Sequence, residues 1–175
     1  WQLQPLFHGG GGADNAWLKL AKLYFLRFGV FVSTQAAPAR DRGLEIMPSD
    51  SFGYFTHRDR REPAWGGCPA GQFSCGITSD GKVKGCLSLP DNLGEGDLRQ
   101  RSLWDIWFDP NAFTYTRRFT RKDLGPNCAS CDRAEQCQGG CSAMSYGCTG
   151  RFHNDPFCFY GIAKGQRADK NSRAI

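Results

Sequence analysis

Aliphatic side chains are scarce in the half of this chain that is richest in cysteine. From Cys68 to Cys158 there are nine Leu, Ile or Val and six Phe. That is about 16 % of the stretch, below the roughly 20 % at which a chain struggles to build its own core. Something other than apolar burial must hold this half together. Long apolar runs are missing too, so nothing reads as a transmembrane helix, and there is no signal-peptide pattern. Histidine is rare, at positions 8, 57 and 153. The sequence opens on Trp1 rather than methionine and reads as a piece of a longer soluble, cytoplasmic protein.

What the chain does have is nine cysteines in 175 residues. An odd count, CxxC spacing and no export signal favour metal ligation over disulfides. The free energy of binding metal becomes folding free energy, which compensates for a thin core. Cys128-Ala-Ser-Cys131-Asp-Arg-Ala-Glu-Gln-Cys137-Gln-Gly-Gly-Cys141 is the densest group of potential ligands. The net charge of +5 is no argument for nucleic acid. Much of it sits in a polar tail carrying Lys164, Arg167, Lys170 and Arg173, which reads as frayed. The cluster Arg117, Arg118, Arg121 and Lys122 reads as a solvated helix face.

Residues 1–7 alternate apolar and polar and predict a strand. His8 and the glycines after it read as a turn, since the phosphate-binding spacings are absent. Asp14 or Asn15 caps a helix of apolar positions from Trp17 to Leu26, with Gly29 as its stop. Leu44–Met47 gives a second strand. Strand, helix, strand in about fifty residues is a βαβ signature with a parallel pairing. The charged residues 57–64, with a solvent-facing His57, form a linker between segments 1–56 and 65–161, and 162–175 reads as a basic, disordered tail.

Asp80-Gly81 signals a two-residue type I′ hairpin turn. If Ser79 pairs with Lys82, Cys75 stands opposite Cys86, close enough for two thiolates to share a metal, with Cys68 looping back as a third ligand. A Cys75–Cys86 disulfide is the alternative. Ser102 caps a short helix with Asp105 at its N3 position and Leu103, Ile106 and Trp107 on its buried face, and Asn111 caps another. Gly139-Gly140 lets the backbone fold tightly between Cys137 and Cys141. His153 is read as hydrogen-bonded or exposed rather than ligating.

The order Cys68, Gly81-x4-Cys86, Cys128-x2-Cys131-x5-Cys137-x3-Cys141, Cys158 resembles the seven-cysteine SPASM signature. That domain is the C-terminal extension of a large group of radical S-adenosylmethionine enzymes. The likeness extends to Ala70-Gly71, Ile77, Val83, the Leu103/Ile106/Trp107 helix and Gly139-Gly140, over about residues 65–160. It implies an α+β fold: a hairpin, short helices and cluster-binding loops after the βαβ end of a partial (β/α)6 barrel, residues 1–56. It also implies two auxiliary [4Fe–4S] clusters. By similarity, Cys68, Cys75, Cys86 and Cys141 hold the first and Cys128, Cys131, Cys137 and Cys158 the second, leaving Cys148 as a structural or free thiol.

The resemblance further implies hydrogen abstraction from a ribosomally made peptide or protein, with the clusters in electron transfer. S-adenosylmethionine and a third [4Fe–4S] cluster serve the intact enzyme. Its partners would be the precursor peptide and an electron carrier such as ferredoxin or flavodoxin, with neither nucleic acid nor membrane. Catalytic residues are not assigned. The family's CxxxCxxC motif is absent from this sequence, so the chain alone is expected to be inactive. Leu87 stands where sulfatase-maturing members carry an acid, which argues against that substrate class. A zinc-binding interaction module is the competing reading, because four cysteines per site also satisfy tetrahedral zinc.

Overall fold

The computed structural model describes residues 1–6, 9, 11–49, 52 and 66–172. His8, His57, the 57–64 linker and most of Ser49–Tyr54 therefore lie outside the described residues. The chain begins with β1 (Gln2–Leu3), a short helix α1 (Gly11–Asp14), a 3-10 turn and the long helix α2 (Lys22–Arg40), followed by β2 (Met47–Pro48). β1 and β2 pair in parallel, Gln2 with Met47 and Leu3 with Pro48, so the expected βαβ order is present.

Helix α2 departs from expectation at both ends. It begins at Ala21 without a side-chain cap, so neither Asp14 nor Asn15 serves it. Nor does it stop at Gly29. It runs through Pro38 to Arg40, with Asp41 at its C-cap and a left-handed Gly43 (φ 78°) in the turn beyond. Gly29 has a packing role instead. A Cβ there would lie 2.2 Å from the ring of Phe159. Phe159 opens α7 (Phe159–Ser172), and α2 and α7 pack together at this notch. Residues 162–172, read in the sequence as part of a disordered tail, are thus helical. Ile162 and Phe159 supply the reason, since both pack against a buried cluster of Phe25, Val32, Ile46 and Phe52. Phe157 joins them, edge-on to Phe25 at 5.7 Å between ring centroids.

The cysteine-rich half is built on a three-stranded antiparallel sheet of β3 (Gly76–Ile77), β4 (Lys82–Lys84) and β5 (Gly96–Asp97), with β4 central. The hairpin turn is not the two-residue type. Gly76 pairs with Lys84 and Ile77 with Val83. Thr78 N–H donates to Lys82 O at 2.9 Å, Gly81 N–H donates to Thr78 O at 2.9 Å, and Gly81 is left-handed at φ 84°. This is a three-residue loop, the form in which a type I turn is followed by a left-handed glycine. It moves the register by one, so Cys75 and Cys86 are offset across the ladder rather than directly opposed.

Val83 packs with Ile106, Ala112 and Phe113 into a second small core, bordered by Cys75, Leu98 and Trp107. Ile106 comes from α3 (Leu103–Trp107), whose Ser102 cap accepts the Asp105 N–H as expected. Only Ile106 of its anticipated face is fully buried, while Leu103 is 40 % exposed. Helix α4 (Thr114–Arg117) starts from a left-handed Phe113, not from an Asn111 cap. Arg117 is not on a solvated face either. Its guanidinium lies over the rings of Trp107 and Phe113 at 4.7 and 4.5 Å and donates to Gly71 O and Trp107 O, both at 2.6 Å. A planar cation with several donors can satisfy buried carbonyls and stack at once.

The remaining helices are α5 (Ala134–Cys137) and α6 (Ser142–Thr149). Among the described residues no helix is long and apolar enough to cross a membrane. The Gly29 notch yields a paired prediction. Gly29→Ala gains helix propensity but drives Cβ into Phe159, and should lower stability by about 1–3 kcal/mol in denaturant titration. Gly165→Ala in α7, where nothing lies within 4 Å of the added Cβ, should instead raise it by about 0.5–1 kcal/mol.

Candidate metal centres

Two cavities sort the cysteines. The first, about 300 Å3, is lined by Cys68, Cys75, Cys86 and Cys141, together with Gly76, Gly85 and Leu87. The second, about 390 Å3, is lined by Cys128, Cys131, Cys137 and Cys158, with Gly139, Gly140 and Asp155. Cys148 lines neither. The eight cysteines assigned by resemblance therefore fall into the same two quartets, and the ninth stays apart.

Local structure explains each placement. Cys68 follows a left-handed Gly67 (φ 102°), and the Ala70–Ser74 bridge folds the next segment back toward Cys75 at the mouth of β3. Cys86 leaves β4 through Gly85. Cys128 and Cys131 lie on successive turns, closed by Cys128 N–H to Gly125 O at 2.9 Å and Cys131 N–H to Cys128 O at 3.0 Å. Cys141 caps α6, and Cys158 precedes α7, accepting the Ile162 N–H at 3.0 Å.

The junction is the segment between Cys137 and Cys141. Gln138, Gly139 and Gly140 are all left-handed, at φ 55°, 82° and 87°. Three such residues in a row reverse the chain, so Cys137 lines one cavity and Cys141 the other. A Cβ on Gly139 would lie 2.4 Å from the His153 Cα, and one on Gly140 2.7 Å from the Asp155 carboxylate. Only glycine allows that approach. His153 is buried and its Nδ1 lies 2.6 Å from Gln138 O, a hydrogen-bonding role that lashes the reversal in place. Asn154 is also buried and accepts the Asn127 N–H at 2.9 Å, and Asp155 is 2 % exposed.

Electrostatics here favour protonated thiols. Burial pushes the Cys128, Cys137 and Cys141 thiols up to about 12, and nearby Asp155 and neighbouring cysteines add to the effect. Burial likewise holds the Asp155 carboxyl up at about 7. Among the described residues no cationic side chain lines the first cavity and Lys22 alone borders the second. Gathered thiolates in this setting need a positively charged group between them. Among the described residues no three Cys, His, Asp or Glu side chains converge on a single-ion position. The quartets instead surround volumes of several hundred Å3, and four cysteines around a cavity is the donor set of an iron–sulfur cluster.

The sequence reading gave neither Asp155 nor Tyr115 an individual role. His153, Asn154 and Asp155 are a run of buried polar residues behind the Gln138–Gly140 reversal, with Asp155 lining the second cavity, and the Tyr115 hydroxyl lies against Gly85, which lines the first. The signal for Asp155 was available: an acid between Cys148 and Cys158 in a chain with so little core.

In the metal-free protein, iodoacetamide at pH 8 should label Cys128, Cys137 and Cys141 at least roughly a hundredfold more slowly than in denaturant, because only thiolate reacts. Timed quenching with mass spectrometry would measure this. Equal rates folded and unfolded would contradict the buried, protonated state.

Residues 68–132 match SPASM, an iron–sulfur cluster-binding domain. The chain is 30 % identical over 127 residues to the AdoMet-dependent heme synthase of Methanosarcina barkeri, covering 72 % of this chain and 33 % of that protein. It is 33 % identical over 107 residues to the PqqA peptide cyclase of Gluconobacter oxydans, covering 58 % of this chain and 28 % of that one. The chain thus spans about a third of the length of each relative. The family match holds Cys68, Cys75, Cys86, Cys128 and Cys131, while Cys137, Cys141 and Cys158 lie beyond it. Residues 68–132 thus match the SPASM iron–sulfur cluster-binding domain, and the chain is similar to about a third of each of these two enzymes.

Proposed function

We propose that Cys68, Cys75, Cys86 and Cys141 hold one auxiliary [4Fe–4S] cluster and Cys128, Cys131, Cys137 and Cys158 a second. In this reading the chain is the auxiliary-cluster part of a radical SAM enzyme that modifies a ribosomally made peptide or protein by hydrogen abstraction. The observation that carries it is the sorting of eight cysteines, drawn from distant parts of the sequence, into one complete quartet around each cavity.

Bound clusters supply one-electron transfer at a potential tuned by their surroundings. The residues of this chain give them thiolate ligands, a largely apolar enclosure, and backbone N–H groups such as that of Arg133, which donates to Cys131 Sγ at 3.4 Å. The Gln138–Gly140 reversal holds the two sites back to back. Residues 1–56 are the end of the barrel that carries the catalytic centre, a reading supported by the parallel β1–β2 pair with α2 between its strands. S-adenosylmethionine and the third cluster act in the intact enzyme. This sequence contains no CxxxCxxC, so the chain has no turnover of its own. The peptide cyclase among its relatives supports a peptide substrate. Leu87 lines the first cavity without an acid or base, which disfavours sulfatase maturation, and a ferredoxin- or flavodoxin-type carrier would exchange the electron.

Anaerobic purification should yield a brown protein with two four-iron clusters' worth of iron and labile sulfide. Cys86→Ser and Cys137→Ser should each remove one cluster's share of the iron, and Cys148→Ser none. A colourless protein holding two zinc ions would sink the proposal in favour of a zinc module.

A further inference from the structure

Tyr115 sits on α4 with its ring stacked on Phe152, the centroids 4.3 Å apart and the planes 10° from parallel. Phe152 in turn packs against Tyr146 of α6, at 5.1 Å, on the helix that Cys141 begins. The ring is therefore fixed, through Phe152, against the helix that Cys141 begins. Its hydroxyl points at Gly85, where an added Cβ would lie 2.0 Å from Oη. Gly85 lines the first cavity and directly precedes Cys86.

That hydroxyl is buried and has no hydrogen-bond partner among the described residues. A buried tyrosine O–H without an acceptor is costly, and such groups usually find one. The geometry narrows the choice of acceptor. The hydroxyl lies against Gly85, whose missing side chain leaves nothing between it and the wall of the first cavity that Gly85 and Cys86 line. Cys68, Glu95 and Cys86 are its nearby ionisable neighbours, and two of these three belong to the first quartet.

Resting on the cluster reading above, we propose that Tyr115 donates a hydrogen bond to a sulfur of the cluster held by Cys68, Cys75, Cys86 and Cys141, and so raises the reduction potential of that cluster alone. A hydrogen bond to sulfur favours the more negative, reduced state, which is how outer groups tune such centres. Tyr115 is a positioning and tuning residue, not a ligand.

The test is Tyr115→Phe in the full chain, reconstituted anaerobically with iron and sulfide and titrated with dithionite under EPR. Phenylalanine keeps the ring and its stack on Phe152 and removes only the donor. One of the two clusters should become about tenfold harder to reduce, equivalent to about 59 mV for a one-electron couple, and the other should be unchanged. Two clusters with unaltered midpoints, or an equal shift in both, would overturn the proposal. In case the variant fails to assemble the first site, wild-type protein carrying ring-deuterated tyrosine gives an independent reading. Pulsed EPR of the cluster lost in Cys86→Ser should show a deuterium coupling that is absent with unlabelled tyrosine, and no coupling would count against the assignment. If wild-type protein shows no cluster signal at all, the cluster reading fails first and this inference with it.

Discussion

Three consecutive left-handed residues, Gln138, Gly139 and Gly140, decide which cysteine serves which cavity. In an ordinary turn Cys137 and Cys141 would stay neighbours and read as parts of one knot. The reversal separates them, and it exists only because Gly139 and Gly140 lie against the backbone of His153 and the carboxylate of Asp155. The two cavities are thus not independent pockets in a common scaffold. They are joined by a short run of backbone from Cys137 to Cys141, held by a second short run, residues 153–155, with His153 fastening one to the other.

Around that junction, apolar burial is divided into small pieces. Phe25, Val32, Ile46 and Phe52 form one cluster, Val83, Ile106, Ala112 and Phe113 a second, and Leu124, Cys128 and Ala134 a third. None is a core of ordinary size. Arg117 fills a gap between strands and helices that a larger protein would fill with aliphatic side chains, satisfying two carbonyls while covering two aromatic rings. A chain assembled this way depends on polar and ligating contacts to choose one arrangement.

Much of this was legible in the sequence, and the reasons differ by element. The βαβ order followed from alternating apolar periods, and the Ser102 cap from a side chain that satisfies its own helix terminus. The hairpin was visible in Asp80-Gly81, but its register was not. Thr78 turns its hydroxyl toward the backbone of Lys82 and helps close a three-residue loop, a choice between turns that the glycine alone does not make. Gly29 looked like a helix stop because glycine usually is one. Its actual partner, Phe159, is 130 residues away, and local pattern cannot see it. Arg117 was misread for the same reason: a run of like charges looks solvated until tertiary packing supplies rings and carbonyls. The grouping of cysteines was proposed through family resemblance, whereas the Tyr115 hydroxyl against Gly85 and the buried Asp155 against Gly140 acquire meaning only once the backbone is folded.

The Phe159 ring in the Gly29 notch has a consequence for the second cavity. Cys158 is the residue immediately before that ring, so one of the four cysteines sits at the joint between α2 and α7, while the other three come from the 128–137 segment and its short helix α5. The quartet is hinged on one side. A displacement of α2 by a fraction of a turn would act through the notch as a lever on that single sulfur, altering the aperture of the cavity while leaving the other three in place.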